Sequence, residues 1–285
     1  MIIFSLWVLL SGAAGPPPVT TASGISAAGL YYEASGAGEP VVLIHGFSLD
    51  RRMWEPQIAP LEKRFRVIRY DLRGHGKSAA PDAPYAPVED LASVLDALGL
   101  KRATLVGLSA GAELATDFAI AHPDRVTRLV LAAPGLGGYK LTTPLTWMAP
   151  VFAAAGAGEP ERAAALWAGT PIMALHTNTA AAALVREIVS TNSRLWTYKS
   201  NPAKPLDPPA IHRLAEVRCP ALILVGDQDL PHIKEVAGLL AGGIAGAKQV
   251  TVPGAGHLIN LDQPAAFNEI VGRILGAGSH SPTPP

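Results

Sequence analysis

Ser109 stands between two glycines in the stretch Val106-Gly107-Leu108-Ser109-Ala110-Gly111, directly after one apolar run and before another. A serine hydroxyl becomes a useful nucleophile only when a base takes its proton, and that base needs an acid to orient it. With 28 Gly in the chain, a G-x-S-x-G pattern alone is weak, so its partners must decide. If the chain order is nucleophile, acid, base, three histidines follow the last convincing acid: His232, His257 and His280. His280 sits in a Ser/Pro-rich tail, and His232 is too close to Asp229 in sequence to turn back onto it. His257, in Val252-Pro253-Gly254-Ala255-Gly256-His257, follows a glycine-rich turn and precedes a helix, so it is the expected base. No carboxylate follows the run 127–133 closely, whereas Asp227 and Asp229 follow Ala221–Gly226 at once. Asp229 is favoured over Asp227 because its greater reach clears the strand end; the unused aspartate would cap the turn. The chemistry is acyl transfer: attack by Ser109, proton removal by His257, and Asp229 holding the imidazole tautomer.

These side chains need elements to carry them. Apolar runs of strand length recur at 40–45, 66–71, 103–108, 127–133, 221–226 and 248–252. Most are apolar on both faces, the mark of a parallel sheet covered on both sides. Tyr31 and Tyr32 suggest a further strand at an edge. Between the runs, 87–99 reads as a helix opened by Pro87 with Glu89 and Asp90 in its first turn and stopped by Gly99. Helices are also expected over 110–121 and 264–275. Such alternation predicts an α/β fold with a doubly wound, mostly parallel sheet. Ser109 then sits at the C-terminal end of a central strand and before a helix, where open sheets bind ligands. Gly107 and Gly111 give clearance in the turn, and the Ala110 N–H points toward the same place. The Phe47 N–H, after the strand ending at His45-Gly46, supplies a second donor for an oxyanion. His45 itself reads as a brace for that loop.

The alternation breaks between Gly135 and Pro209, where Ala, Trp and Pro abound and no clear strand run appears. The expected organisation is a core of 23–135 and 206–277, with an inserted helical cap over 136–205. Residues 278–285 are expected to be a disordered tail. The first residues, Met1 to Gly15, hold a short apolar run followed by small residues. That pattern, over 1–22 with its linker, predicts a signal peptide and export, although no Lys or Arg precedes the run.

Composition narrows the classes. Hydrophobic residues make up 49%, and 23 Lys+Arg balance 23 Asp+Glu. That excludes the basic footprint of a nucleic-acid binder, and no run is long enough to predict stable membrane insertion. Cys219 is the only cysteine, which rules out an intramolecular disulfide and a multi-cysteine metal site; a buried structural thiol is expected.

Taken together, His45–Ser48, Tyr70–Ser78, Val106–Gly111, Leu224–Asp229 and Pro253–His257 resemble the α/β-hydrolase fold family, in its capped serine esterase, enol-lactonase and cofactor-free haloperoxidase-like branch. The likeness spans roughly 28–277 outside the cap. It implies a serine hydrolase that acts without cofactor or metal on a small-molecule substrate, an uncharged and fairly hydrophobic ester or lactone. Perhydrolysis, C–C or amide hydrolysis, and a hydrolase-fold receptor with little turnover are the other readings. The resemblance also implies that Asp71, Arg73 and His75 fix a loop beside the pocket. A serine at 109 rather than an aspartate argues against the dehalogenase and epoxide hydrolase branches. Trp147, Met148, Phe152, Trp167, Leu175 and Trp196, all from the cap, are the candidates to line the pocket.

Overall fold

A computed structural model describes residues 22–198 and 202–276 of the chain. Eight strands form one sheet: β1 (Ala22–Ile25), β2 (Tyr31–Ser35), β3 (Glu39–Ile44), β4 (Phe65–Tyr70), β5 (Ala103–Leu108), β6 (Val126–Ala132), β7 (Ala221–Gly226) and β8 (Lys248–Val252). Their order is β1-β2-β4-β3-β5-β6-β7-β8. The pairs from β4 to β8 are parallel, while β1–β2 and β2–β4 are antiparallel. The six apolar runs are the six parallel strands, within a residue at each end. The tyrosine strand differs from expectation in position. It lies second from the edge, because β1, too polar and short to stand out, pairs outside it.

Burial follows this order. β5 and β7 are buried at every residue, whereas the edge strand β8 exposes all but Val252. The helices are α1 (Glu55–Leu61), α2 (Pro87–Ala97), α3 (Ala110–Ala121), α4 (Ala149–Gly156), α5 (Pro160–Ala168), α6 (Ala182–Thr191), α7 (Pro231–Gly243), α8 (Ile259–Asp262) and α9 (Pro264–Gly276). α2 has Pro87 at its first position and two acids in its first turn, where they face the positive helix end. The short α1 has prolines at 56 and 60 that hide it from a periodicity reading.

Between β6 and β7 the chain forms α4, α5, α6 and short 3-10 turns, with α5 packed against α4 and α6. This helical insertion is stitched to the strand-end loops. Trp167 Nε1 donates to Ser48 Oγ at 2.6 Å, Arg194 Nε donates to the Gly74 carbonyl at 2.8 Å, and Asn192 Oδ1 accepts the Gly76 N–H at 2.7 Å. The segment read as an export signal, and the tail with His280, lie outside the described residues. Among the described residues, no helix is long and apolar enough to cross a membrane.

Candidate active site

Strand register brings the site together. Ile44 of β3 pairs with Gly107 of β5, so the chain leaving β3 through His45, Gly46 and Phe47 runs beside Ser109. Gly226 of β7 pairs with Val252 of β8, which places the loops carrying Asp229 and His257 side by side.

Ser109 occupies a turn with φ 56° and ψ −116°, a region that costs a non-glycine residue about 1–3 kcal/mol. Its backbone is pinned there. The N–H donates to the Ala132 carbonyl at 3.0 Å, and its own carbonyl accepts N–H groups from Ala112, Glu113 and Gly135. The turn is crowded enough to require both flanking glycines. A Cβ at Gly107 would collide with the Gly111 carbonyl, and one at Gly111 with the Ile44 carbonyl of β3. Both obstacles are backbone, so neither can rotate away. Gly111→Ala is therefore expected to lower stability by ~3 kcal/mol, roughly 6–12 °C in Tm, read by thermal unfolding.

His257 and Asp229 are buried, at 2% and 4% exposure. His257 Nδ1 lies 3.2 Å from each oxygen of the Asp229 carboxyl, and Asp229 Oδ1 also accepts the Leu230 N–H at 2.7 Å. Asp227 faces elsewhere, accepting the Gly254 N–H at 2.7 Å as a turn brace. Of the two aspartates weighed from sequence, only Asp229 reaches the imidazole. His257 and Ser109 line one small cavity of about 60 Å³, together with Phe47, Trp167, Ile172 and Met173. Among the described residues Ser109 Oγ makes no hydrogen bond, so its hydroxyl is uncommitted.

Neither the Phe47 N–H nor the Ala110 N–H has an acceptor among the described residues. The first sits in the turn after β3, the second on the opening residue of α3, where the helix end adds positive potential. Two histidines fix the Phe47 loop. His45 Nδ1–H donates to the Gly46 carbonyl at 2.8 Å and Nε2 accepts the Leu72 N–H at 2.9 Å. His75 Nδ1–H donates to the Arg73 carbonyl at 3.0 Å, and Nε2 accepts the Ser48 N–H at 3.3 Å. Burial pushes their pKa values down to about 4 for His45 and about 3 for His75, so both rings are neutral. Asp71 accepts the backbone N–H groups of Arg51 and Lys77, and Arg73 pairs with Asp90, so the loop residues 71–78 are engaged in structure.

The His257 loop is held from the other side by Asp262, which periodicity does not reveal. One carboxyl takes the N–H groups of His176 (2.9 Å) and Thr177 (2.7 Å) from the helical insertion and of Gly256 (2.9 Å) beside His257. Burial opposes ionisation of this group, but those donors outweigh it and hold its pKa below the ordinary carboxylate value.

The six aromatic and apolar candidates from the insertion divide. Trp167 lines the small cavity, and Trp147 and Trp196 pack on it with ring centroids at 6.1 and 5.7 Å. Trp196 also meets the Phe47 ring edge-on at 5.6 Å. Met148 and Leu175 are half-buried and pack against the core, bordering neither this cavity nor its larger neighbour. Phe152 is 56% exposed because its side of α4 faces solvent, and the structure does not bring it to the site. Ile172 and Met173, in a 3-10 turn opened by Pro171, line the cavity without any sequence signal beyond being apolar. Cys219 is half-buried rather than buried, and burial pushes its thiol up to about 11, which leaves it un-ionised near neutrality. Among the described residues no cluster of His, Cys, Asp or Glu is placed to hold a metal ion.

Comparison with known proteins matches residues 41–270 to the alpha/beta hydrolase family. The (E)-2-((N-methylformamido)methylene)succinate hydrolase of Acinetobacter baylyi is 28% identical, over 84% of this chain and 91% of its own length. The enol-lactonase of Burkholderia xenovorans is 27% identical with a TM-score of 0.69, covering 87% of this chain and 96% of that one. A thermophilic esterase from Thermogutta terrifontis is 26% identical with a TM-score of 0.71, covering 90% and 98%.

Proposed function

The chain belongs to the alpha/beta hydrolase family, and from that premise we propose that it is a serine hydrolase cleaving an uncharged, fairly hydrophobic carboxylic ester or lactone through an acyl-enzyme. The observation that carries this reading is the conjunction at one small cavity. It joins an uncommitted Ser109 hydroxyl on a strained turn, the His257 end of a buried His257–Asp229 pair and the acceptor-free side of Phe47, with the acceptor-free N–H of Ala110 directly after the serine.

In this mechanism Ser109 Oγ attacks the substrate carbonyl as His257 Nε2 takes its proton. Asp229 accepts Nδ1–H, fixes the tautomer and stabilises the imidazolium that forms. The carbonyl oxygen, now an alkoxide, is met by the Phe47 and Ala110 N–H groups, each worth ~3 kcal/mol in the transition state. His257 returns the proton to the departing alkoxide, and water then cleaves the acyl-enzyme by the same route. An ester or lactone that is uncharged around its reacting carbonyl is favoured because the small cavity is walled by Phe47, Leu49, Trp167, Ile172, Met173 and Leu258. The hydrolase, lactonase and esterase among the similar proteins support hydrolytic acyl chemistry.

The test is turnover of neutral p-nitrophenyl esters and lactones of graded chain length, with Asp229→Asn and Asp227→Asn assayed side by side. Asp229→Asn is expected to lower kcat by about 10⁴, because it imposes the wrong imidazole tautomer. Asp227→Asn keeps an oxygen for the Gly254 N–H and is expected to stay within a few-fold of wild type. Equal losses in the two variants would remove Asp229 from the mechanism.

A further inference from the structure

The cavity at Ser109 is too small for a whole substrate. Its roughly 60 Å³ accommodates a reacting carbonyl and its immediate neighbours, whereas sites for small molecules run to about 300–1,000 Å³. A second cavity of about 380 Å³ adjoins it. Phe47 lines both, and Ala110, the residue after the serine, lines the larger one. A substrate whose carbonyl sits between Ser109 and the two free N–H groups therefore extends past Phe47 into this space.

The larger cavity carries an unusual feature. Glu113 and Asp117, one turn apart on α3, both line it. Neither carboxyl has a hydrogen bond or ion pair among the described residues, and Asp117 Oδ1 is sealed from solvent. The two groups converge on the loop after β6. A Cβ at Gly137 would lie 3.4 Å from Asp117 Oδ1 and 3.7 Å from Glu113 Oε1. The cations nearby are already committed. Arg73 holds Asp90 through two hydrogen bonds of 2.9 and 2.6 Å, and Arg213 holds Glu216 through two of 2.9 and 2.8 Å. Burial raises the pKa of both free acids, with Asp117 carried to about 7 by burial first and by the charge of Glu113 second. Two carboxyls without a hydrogen-bonded partner, of which only Asp117 is eased, by the charge of Arg213, are a standing cost that a cationic ligand would relieve. The rest of the lining mixes apolar residues, among them Leu30, Leu72, Leu114 and Pro205, with His75, Tyr85 and the Arg73–Asp90 ion pair, whose charges offset one another.

We propose that the 380 Å³ cavity beyond Phe47 is a substrate subsite in which Glu113 and Asp117 select a protonated amine carried on an otherwise apolar chain. The substrate class shifts from the wholly uncharged ester or lactone proposed above to one that is uncharged at its reacting end and carries an ammonium at the other, and carboxylate-bearing ones are rejected. This rests on the reading of Ser109 as the nucleophile for its catalytic part, but the binding part stands by itself.

Two measurements keep those parts separate. Binding of hexylammonium, hexanol and hexanoate is measured by calorimetry on wild type and on the Glu113→Gln/Asp117→Asn double variant. Those isosteric changes remove charge but keep shape. Hexylammonium is expected to bind at least about tenfold more tightly than hexanol, hexanoate more weakly than either, and the double variant to lose the preference. In parallel, kcat/KM is compared for acetate esters of amino-substituted and plain alcohols, and for amino-substituted and plain acyl p-nitrophenyl esters. At least one amino series is expected to exceed its neutral counterpart in wild type by a similar factor, and to fall level with it in the double variant. No ammonium preference in binding, or one that persists in the double variant, overturns the subsite even if neutral esters are hydrolysed. Ammonium binding that depends on the two acids, without turnover of any ester, upholds the subsite and overturns the catalytic reading instead.

Discussion

Ser109→Ala is expected to lower kcat by about 10⁴ to 10⁶ against any substrate the protein hydrolyses, without loss of stability. The two halves of that result have separate causes. The hydroxyl is the atom that forms the acyl bond, so its removal leaves only the oxyanion donors and binding to assist attack by water. Stability is spared because Ser109 caps α3 without a side-chain hydrogen bond, and the turn is held by backbone contacts to Ala132, Ala112, Glu113 and Gly135 that an alanine keeps. Rates are measured on purified wild type and variant at saturating ester, with thermal unfolding run on the same samples. Activity surviving within tenfold would move the nucleophile elsewhere.

The second large effect is acid destabilisation from the two loop histidines. Burial is the main reason that His45 and His75 titrate near 4 and 3 in the folded protein, against 6.5 unfolded. Between those values the unfolded chain binds more protons than the native one, so stability rises with pH across the window and falls as pH drops from about 6.5 toward 3. Well below pH 6.5, two imidazoles together give a slope of about 2–3 kcal/mol per pH unit. The full loss, on the order of 3–5 kcal/mol per ring, consumes much of a typical stability of ~5–15 kcal/mol. Carboxylates such as Asp262, whose pKa is depressed, lose their contribution only at lower pH. Asp117, raised to about 7, acts in the opposite sense between pH 6.5 and 5, because there the native chain holds a proton that the unfolded one releases, so the histidine contribution is read as a difference between variants. Urea unfolding of wild type and His75→Gln between pH 6.5 and 5 is the readout, and the variant is expected to lose about 1.4 kcal/mol per pH unit of slope. An unchanged slope in His75→Gln would mean that its ring is solvated or charged in the native state.

The consequence for the site is direct. His75 holds the Ser48 N–H and His45 braces Gly46, so protonating either ring loosens the turn that presents the Phe47 N–H. Loss of the oxyanion donor and loss of stability are thus expected to run together on the acid side.

Much of this arrangement is legible in the sequence because it depends on local rules. Parallel strands buried on both faces read as unbroken apolar runs, and β5 and β7 appear that way, while their more exposed neighbours are legible from shorter apolar stretches. The turn at Ser109 is legible because only glycine fits at 107 and 111, and the Asp229–His257 pairing follows from where β7 and β8 end. What escapes local rules is what depends on distant chain. Glu113 and Asp117 read as the polar stripe of α3, and only the glycine loop after β6 turns them into unpaired acids in a cavity. Phe152 shows the converse, an aromatic in an apolar helix that no partner covers. Asp262 has no periodic signature at all, because its partners come from residues some 85 positions away.

The measurement closest to the central claim is covalent. Incubation of the protein with a fluorophosphonate, followed by intact-mass and peptide mass spectrometry, reads which oxygen becomes phosphonylated. The account predicts one adduct per chain on the peptide containing Ser109, sharply slowed in His257→Ala and absent in Ser109→Ala. An adduct at another residue, or labelling of Ser109 at an undiminished rate without His257, would contradict it.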